Sequence, residues 1–291
     1  MPGLRTLINV ALGHGARAEQ RSGPRYRQPT VTLPYSAHNL QALDFHSAGP
    51  GERPLLAFIH GGAWQFGDKA RRIEDLKAGF AHGEGWHFAS LNFRLVPEVG
   101  VAAMACDVAA GVALLFAEAA RLGIDRRRIV LMGHSSGAHL AALVASDPSL
   151  LGAHGLSPAA LAGVIAIDGA AFDARAPSTG SRLLARRLVD PAFAGADLAA
   201  LSPVCHLAGA SGPFPPHLIL AAQGARQSAL LAAALRESGA ACAVHEFTER
   251  GVLGHVRLSR RFGRPGFGPT EAARAWLREL IGRPVPQGNT R

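Results

Sequence analysis

Glycines stand two residues before and two residues after Ser135, in Gly133-His134-Ser135-Ser136-Gly137. The run ahead of this pentapeptide, Ile129-Val130-Leu131-Met132, is short, apolar and of strand type. The run behind it, Ala138-His139-Leu140-Ala141-Ala142-Leu143-Val144-Ala145, is alanine-rich and helical. A chain that passes from buried strand to helix in so few residues must turn back on itself tightly. A side chain at either flanking position would collide with the neighbouring strand or helix, so both positions call for glycine. Such a turn pushes the central serine hydroxyl above the sheet. In a chain with 34 glycines the pentapeptide alone says little, and its strand-to-helix context is what gives it meaning.

The same alternation continues along the chain. Candidate strands are 55–59, 88–93, 129–132, 164–167, 218–222 and 243–247, and candidate helices are 70–82, 101–121, 137–146, 227–238 and 270–281. Strands that alternate with helices in this way imply an α/β fold with a mostly parallel sheet covered on both faces. Val31 to Leu33 and Leu40 to Phe45 are expected to open the sheet as a hairpin, with turn residues around Ser36 to Asn39. Residues 1–28 read as a loose basic arm, 29–282 as the domain, and 283–291 as a tail. Within the domain, 172–216 breaks the alternation with proline-rich turns and an amphipathic piece near Ser181 to Val189, which makes it a candidate cap over a pocket.

A second motif lies upstream. The strand-like Leu55-Leu56-Ala57-Phe58-Ile59 runs directly into His60-Gly61-Gly62-Ala63-Trp64. A serine that attacks a carbonyl needs N–H donors aimed at the oxygen that turns negative, each worth about 3–4 kcal/mol. A glycine-rich turn after a strand supplies such donors unobstructed. The N–H groups of Gly62, Ala63 and Ser136 are the expected oxyanion hole, with Gly61 as a substitute for one of them.

Together with Gln65-Phe66-Gly67-Asp68-Lys69, Asn92-Phe93-Arg94-Leu95-Val96-Pro97-Glu98 and Gly254-His255-Val256-Arg257-Leu258-Ser259, these motifs resemble the α/β-hydrolase fold of the kynurenine formamidase and carboxylesterase group, related to hormone-sensitive-lipase-like esterases. The likeness spans roughly residues 29 to 282. It implies a seryl acyl-enzyme and a triad in the chain order serine, acid, histidine, with the histidine in a loop after the last strand. His255, after the strand Ala243 to Thr248, fits that place among 13 histidines. His245 and His217 read as packing residues, and His60 and His139 as braces for the backbone of the glycine motifs.

The acid departs from the family pattern, which puts an aspartate after the strand Leu218 to Ala222. Here that connection is Gln223-Gly224-Ala225-Arg226, with no Asp or Glu between residues 198 and 236. Asp168, at the end of the adjacent strand, is the first candidate. Glu249 and Glu246 are alternatives, and a Ser–His dyad or a decayed site is the remaining one. Asp107 reads as a surface or helix-cap residue. Trp64 and Phe66, beside the oxyanion turn, are candidates for pocket walls or for core.

Composition narrows the partners. The formal charge is +9, yet 28 of the 30 basic residues are arginine and they are scattered, so no nucleic-acid partner is expected. Arg257 to Arg264 follows the histidine motif, where positive potential would favour anionic substrates. No apolar run approaches a membrane span, no clean leader cleavage site appears, and three distant cysteines read as free thiols of a cytoplasmic protein. No metal-ligand spacing, phosphate loop or dinucleotide fingerprint is present, so no cofactor and no metal are expected. The reading is an enzyme for short-chain or aromatic carboxylic esters. An arylformamidase acting on a formyl amide, and a binding module with a decayed triad, are the alternatives. Oligomeric state is open.

Overall fold

The computed structural model describes residues 28–70, 74–177, 183, 185–210, 212–222 and 225–282. The arm expected over 1–28 (save Gln28), the tail at 283–291, residues 178–182 of the candidate cap and Gln223-Gly224 lie outside the described residues.

Among the described residues eight strands form one sheet: β1 (Val31–Pro34), β2 (Ala42–His46), β3 (Arg53–Ile59), β4 (His87–Leu91), β5 (Ile124–His134), β6 (Gly163–Ile167), β7 (His217–Ala222) and β8 (Cys242–Phe247). Their order is β1-β2-β4-β3-β5-β6-β7-β8. The opening hairpin β1–β2 is antiparallel and β2 joins β4 antiparallel. From β4 through β3, β5, β6 and β7 to β8 every pairing is parallel. Strands β4, β6 and β7 are buried along their whole length, as parallel strands covered on both faces must be, and so is the antiparallel β2. This is the α/β-hydrolase fold.

The helices that matter for the site are α1 (Glu74–Gly83), α2 (Val101–Ala117), α3 (Ser136–Ser146), α4 (Arg226–Glu237), α5 (Gly251–Arg261) and α6 (Gly268–Gly282). Alternation along the strands sorts them to two faces. Leu55, Ala57 and Ile59 of β3 pack with residues of α2 and α3, whereas Leu56 and Phe58 pack with residues of α1, α5 and α6. On β7, Ile219 and Ala221 meet α4, and Leu218 and Leu220 join the opposite face. Burying both faces of each central strand is the main hydrophobic stabilisation of the fold. Among the described residues no helix is long and apolar enough to cross a membrane.

Two expectations need correction here. The segment 101–121 is interrupted: α2 ends at Ala117, a short turn Ala119–Leu122 follows, and Gly123 closes it at φ +69°. Asp107 is neither surface nor cap. It is buried in α2, accepting from Arg94 Nε at 2.8 Å, Arg94 Nη2 at 2.7 Å, the Arg94 amide at 3.0 Å and Gln41 Nε2 at 2.7 Å. Its partners come from the β1–β2 turn and the loop after β4, so no local pattern reveals them.

This carboxylate ties the β1–β2 hairpin and the 92–99 loop to α2. Asp107→Ala removes the acceptor of the half-exposed Arg94 side chain, the Arg94 amide and Gln41, and is expected to cost about 1–3 kcal/mol. Urea unfolding monitored by tryptophan fluorescence would measure it.

Candidate active site

Parallel strands end together, and the candidate residues collect at the C-terminal ends of β3, β5 and β6. Ser135 sits between β5 and α3 at φ +55°, ψ −119°, a sparsely populated backbone state held by its surroundings. The flanking glycines have measurable causes. A Cβ on Gly133 would lie 2.2 Å from Gly137 O, and one on Gly137 would lie 2.2 Å from Ile59 O and 2.5 Å from His60 O. So α3 crosses the ends of β5 and β3 at a distance only glycine permits. The Ser135 amide donates to Ile167 O at 3.0 Å, which pins the serine against the end of β6, next to Asp168.

The glycine turn after β3 is equally constrained. Gly62 has φ +144°, and a Cβ there would meet Phe66 O at 1.9 Å. Gly62 O accepts from the amides of Gln65 at 3.1 Å and Phe66 at 2.9 Å, which closes the turn. Ala63 and Trp64 follow at φ +53° and +58°. The amides of Gly62, Ala63 and Ser136 donate no hydrogen bond among the described residues. Ser136 is also the first residue of α3, where the helix end carries partial positive charge. The motif at Asn92 explains itself here. Asn92 Oδ1 accepts from the Lys69 amide at 2.5 Å, Asn92 Nδ2 donates to Asp68 Oδ2 at 3.0 Å, and Lys69 Nζ lies 2.8 Å from Asp44 Oδ1. The loop after β4 therefore clamps the far side of the glycine turn.

His255 belongs to the second turn of α5, not to a loop, and this corrects the expected connection. Gly251 and Gly254 mask the helical period in the sequence. His255 Nδ1 lies 2.7 Å from Asp168 Oδ2. Asp168 follows β6 at φ +43°, its amide donates to Leu220 O at 2.8 Å, and its Oδ1 accepts from the Ala222 amide at 2.9 Å. A carboxylate only accepts, so the proton of His255 sits on Nδ1 and Nε2 offers its lone pair. No hydrogen bond joins Glu246 or Glu249 to His255; Glu246 is exposed on β8.

The other singled-out residues fall elsewhere. His139 is buried and its Nε2 donates to Leu201 O at 2.8 Å, so it braces the 172–216 excursion. His60 stacks on Phe93 at 4.6 Å, and a Cβ on Gly67 would touch its ring. Trp64 is buried beneath the turn against Phe193 and His139, while Phe66 is half-buried. His217 is buried, with Nδ1 on Pro215 O at 2.8 Å. His245, read as packing, is instead exposed on the edge strand β8. Arg257 and Arg260 are exposed on α5. Sequence reasoning passed over His134 as a mere spacer in the serine motif. Its Nε2 lies 3.1 Å from His255 O.

Comparison with known proteins agrees with this architecture. The BD-FAE family model matches residues 43–151. Esterase LipQ of Mycobacterium tuberculosis is 31% identical over 168 residues, 51% of this chain and 40% of that protein. A probable isoprenylcysteine alpha-carbonyl methylesterase of Arabidopsis thaliana, ICMEL1, is 35% identical over 97 residues, 33% of this chain and 20% of that protein. The chain thus spans well under half the length of these curated relatives. Among solved structures, esterase B of Lactobacillus rhamnosis in an inhibited form superposes with a TM-score of 0.74 at 20% identity, covering 95% of both chains. Esterase 2 of Thermogutta terrifontis gives 0.66 at 23% identity, over 88% of this chain and 93% of that one.

Burial pushes the pKa values of His139 and His217 down from 6.5 to about 4. Both are neutral in the folded protein and take up protons on unfolding below 6.5, so their contribution is present above that pH and lost toward 4. Stability should fall with acidification through this window, by up to about 2.7 kcal/mol per pH unit if both count fully. Urea midpoints measured from pH 6.5 to 4.5 test this; a flat series contradicts it.

Proposed function

We propose that this protein is a serine hydrolase that cleaves short-chain or aromatic carboxylic esters through an acyl-enzyme. One observation carries the reading: Asp168 and His255 meet at 2.7 Å, and Ser135, in a strained strand-to-helix turn, is tied by its amide to Ile167 O, the residue before Asp168. An intact acid–histidine pair favours a working site over a decayed one.

In this reading Ser135 Oγ attacks the ester carbonyl carbon as His255 Nε2 takes its proton. The charge on the carbonyl oxygen is met by the free amides of Gly62, Ala63 and Ser136, already oriented by their turns. Asp168 fixes the tautomer of His255 and stabilises the imidazolium that forms. His255 then returns the proton to the leaving alcohol, and a water, activated by the same imidazole, releases the acid. Relatives named as esterases and a methylesterase support the ester bond as the target. A structural neighbour inhibited by a tributyrin phosphonate supports attack at an acyl-type centre. The kynurenine formamidase-like subgroup stays within the proposal on its sequence motifs, since a formyl amide would use the same atoms.

The chain would then form one hydrolase domain over 29–282, with the described parts of 172–216 as a cover. Gln65, whose amide closes the oxyanion turn, donates from Nε2 to Arg187 O at 2.8 Å, which supports an excursion lying beside the pocket. Three free cysteines support a reducing, cytoplasmic compartment.

Ser135→Ala should abolish both ester turnover and fluorophosphonate labelling. Asp168→Asn should lower kcat on the order of 10⁴-fold by disturbing the histidine tautomer. A panel of p-nitrophenyl esters of graded length, a feruloyl ester and N-formylkynurenine tests the assignment; a folded protein that neither labels nor turns over any member would overturn it. Charge reversal at Arg257 and Arg260 should lower kcat/KM for acidic esters more than for neutral ones, and equal kinetics on both would remove these arginines from substrate selection.

A further inference from the structure

We infer that His134 is a positioning residue for His255: it holds the backbone of the histidine helix against the oxyanion turn. The inference rests on the serine-hydrolase reading above.

The helix that carries His255 is thinly anchored where precision matters. It starts at Gly251 with φ +61°. Val252 and Leu253 are 53% and 75% exposed, and the helix buries only Gly254, Leu258 and Ser259. Little apolar area therefore fixes its first turns, and polar ties must set the place of the imidazole. Two ties from outside the helix reach His255 itself. One is the Asp168 carboxylate on Nδ1 at 2.7 Å, and the other is His134 Nε2 on the main-chain oxygen at 3.1 Å.

The second tie has a defined chemistry. A carbonyl oxygen accepts and never donates, so His134 Nε2 carries a hydrogen and donates it to His255 O. The two imidazoles also lie against one another, with centroids 4.6 Å apart and planes at 36°. The other edge of the His134 ring faces the oxyanion turn, where a Cβ on Gly61 would lie 2.7 Å from Nδ1. A Cβ on Gly61 would also lie 2.8 Å from His134 O, so ring and main chain of His134 together call for glycine at this position. His134 is wedged between the strand end that leads into Gly62 and Ala63 and the turn that bears His255. It sets the spacing between oxyanion donors and base, next in sequence to the nucleophile.

The far end of the helix is held separately. Lys77 Nζ, on the buried lysine of α1, donates to Ser259 O at 3.2 Å. Residues 255 and 259 lie one turn apart on the same face, so the inner side of α5 is gripped by its carbonyls at two levels. Loss of the His134 tie should loosen the first turns while Lys77 and Leu258 keep the helix docked.

The test compares His134→Phe, which keeps a ring and loses the donor, with His134→Gln, which keeps a donor near the Nε2 position. Misplacement of a catalytic group by about 1 Å costs on the order of 10²-fold. His134→Phe should lose about that much in kcat on p-nitrophenyl acetate and in the rate of fluorophosphonate labelling, with KM unchanged. His134→Gln should recover most of the loss. Hydrogen exchange at residues 252–258 reads the same tie without turnover, faster in the Phe variant and close to wild type in the Gln variant. If His134→Phe fails to fold, His134→Asn, whose donor falls short of the carbonyl, takes its place against His134→Gln. A wild type that exchanges as expected but never labels overturns the hydrolase reading alone. A labelled wild type with Phe and Gln variants alike in kcat and in exchange overturns the role of His134.

Discussion

The bond between Asp168 and His255 joins elements 87 residues apart in the chain, and the geometry of the site depends on it. It is a hydrogen bond to an acceptor that is itself held. The Asp168 backbone extends the β6–β7 ladder through Leu220 O, and its second oxygen takes the Ala222 amide. The carboxylate is therefore part of the sheet in all but name, and the imidazole inherits that rigidity. Because the acceptor is anionic, the contact is stronger than a neutral one. Because it can only accept, it also decides which nitrogen of the histidine stays free.

The sheet sets up everything this bond needs. Parallel strands place all their C-terminal ends on one edge, so turns after β3, β5 and β6 face the same space. The cost is crowding. Gly62, Gly133 and Gly137 sit where a methyl group would overlap backbone atoms, and Ala63, Ser135 and Asp168 adopt positive φ. Such strain is sustained because strands buried on both faces around it leave the backbone no cheaper path.

Elements came through from the sequence better than contacts. All six strands read from apolar runs exist, with ends shifted by three residues or less except for β5, which begins at Ile124 rather than 129. The early residues of β5 are Asp125 and three arginines, charges that hide a strand from any hydrophobic pattern. Helix α5 was hidden the other way, by glycines that resemble a loop. Asp107 showed only an isolated acid in an apolar helix, because its arginine and glutamine partners arrive from other loops. His245 and His217 looked alike as strand histidines. One lies on the edge strand and the other beside covered neighbours, a difference that strand order alone creates.

What the sequence determined by itself was local: the serine turn, the glycine turn after β3, and the alternation that demands a parallel sheet. These are legible because the forces that shape them act within a few residues, through Cβ clashes, backbone φ and apolar period. Tertiary structure alone decided which carboxylate faces His255 and that His134 meets the histidine helix. Both depend on which strand lies next to which and on where a helix docks across the sheet edge. Those distances are set by packing between segments far apart in the chain, and no local pattern encodes them.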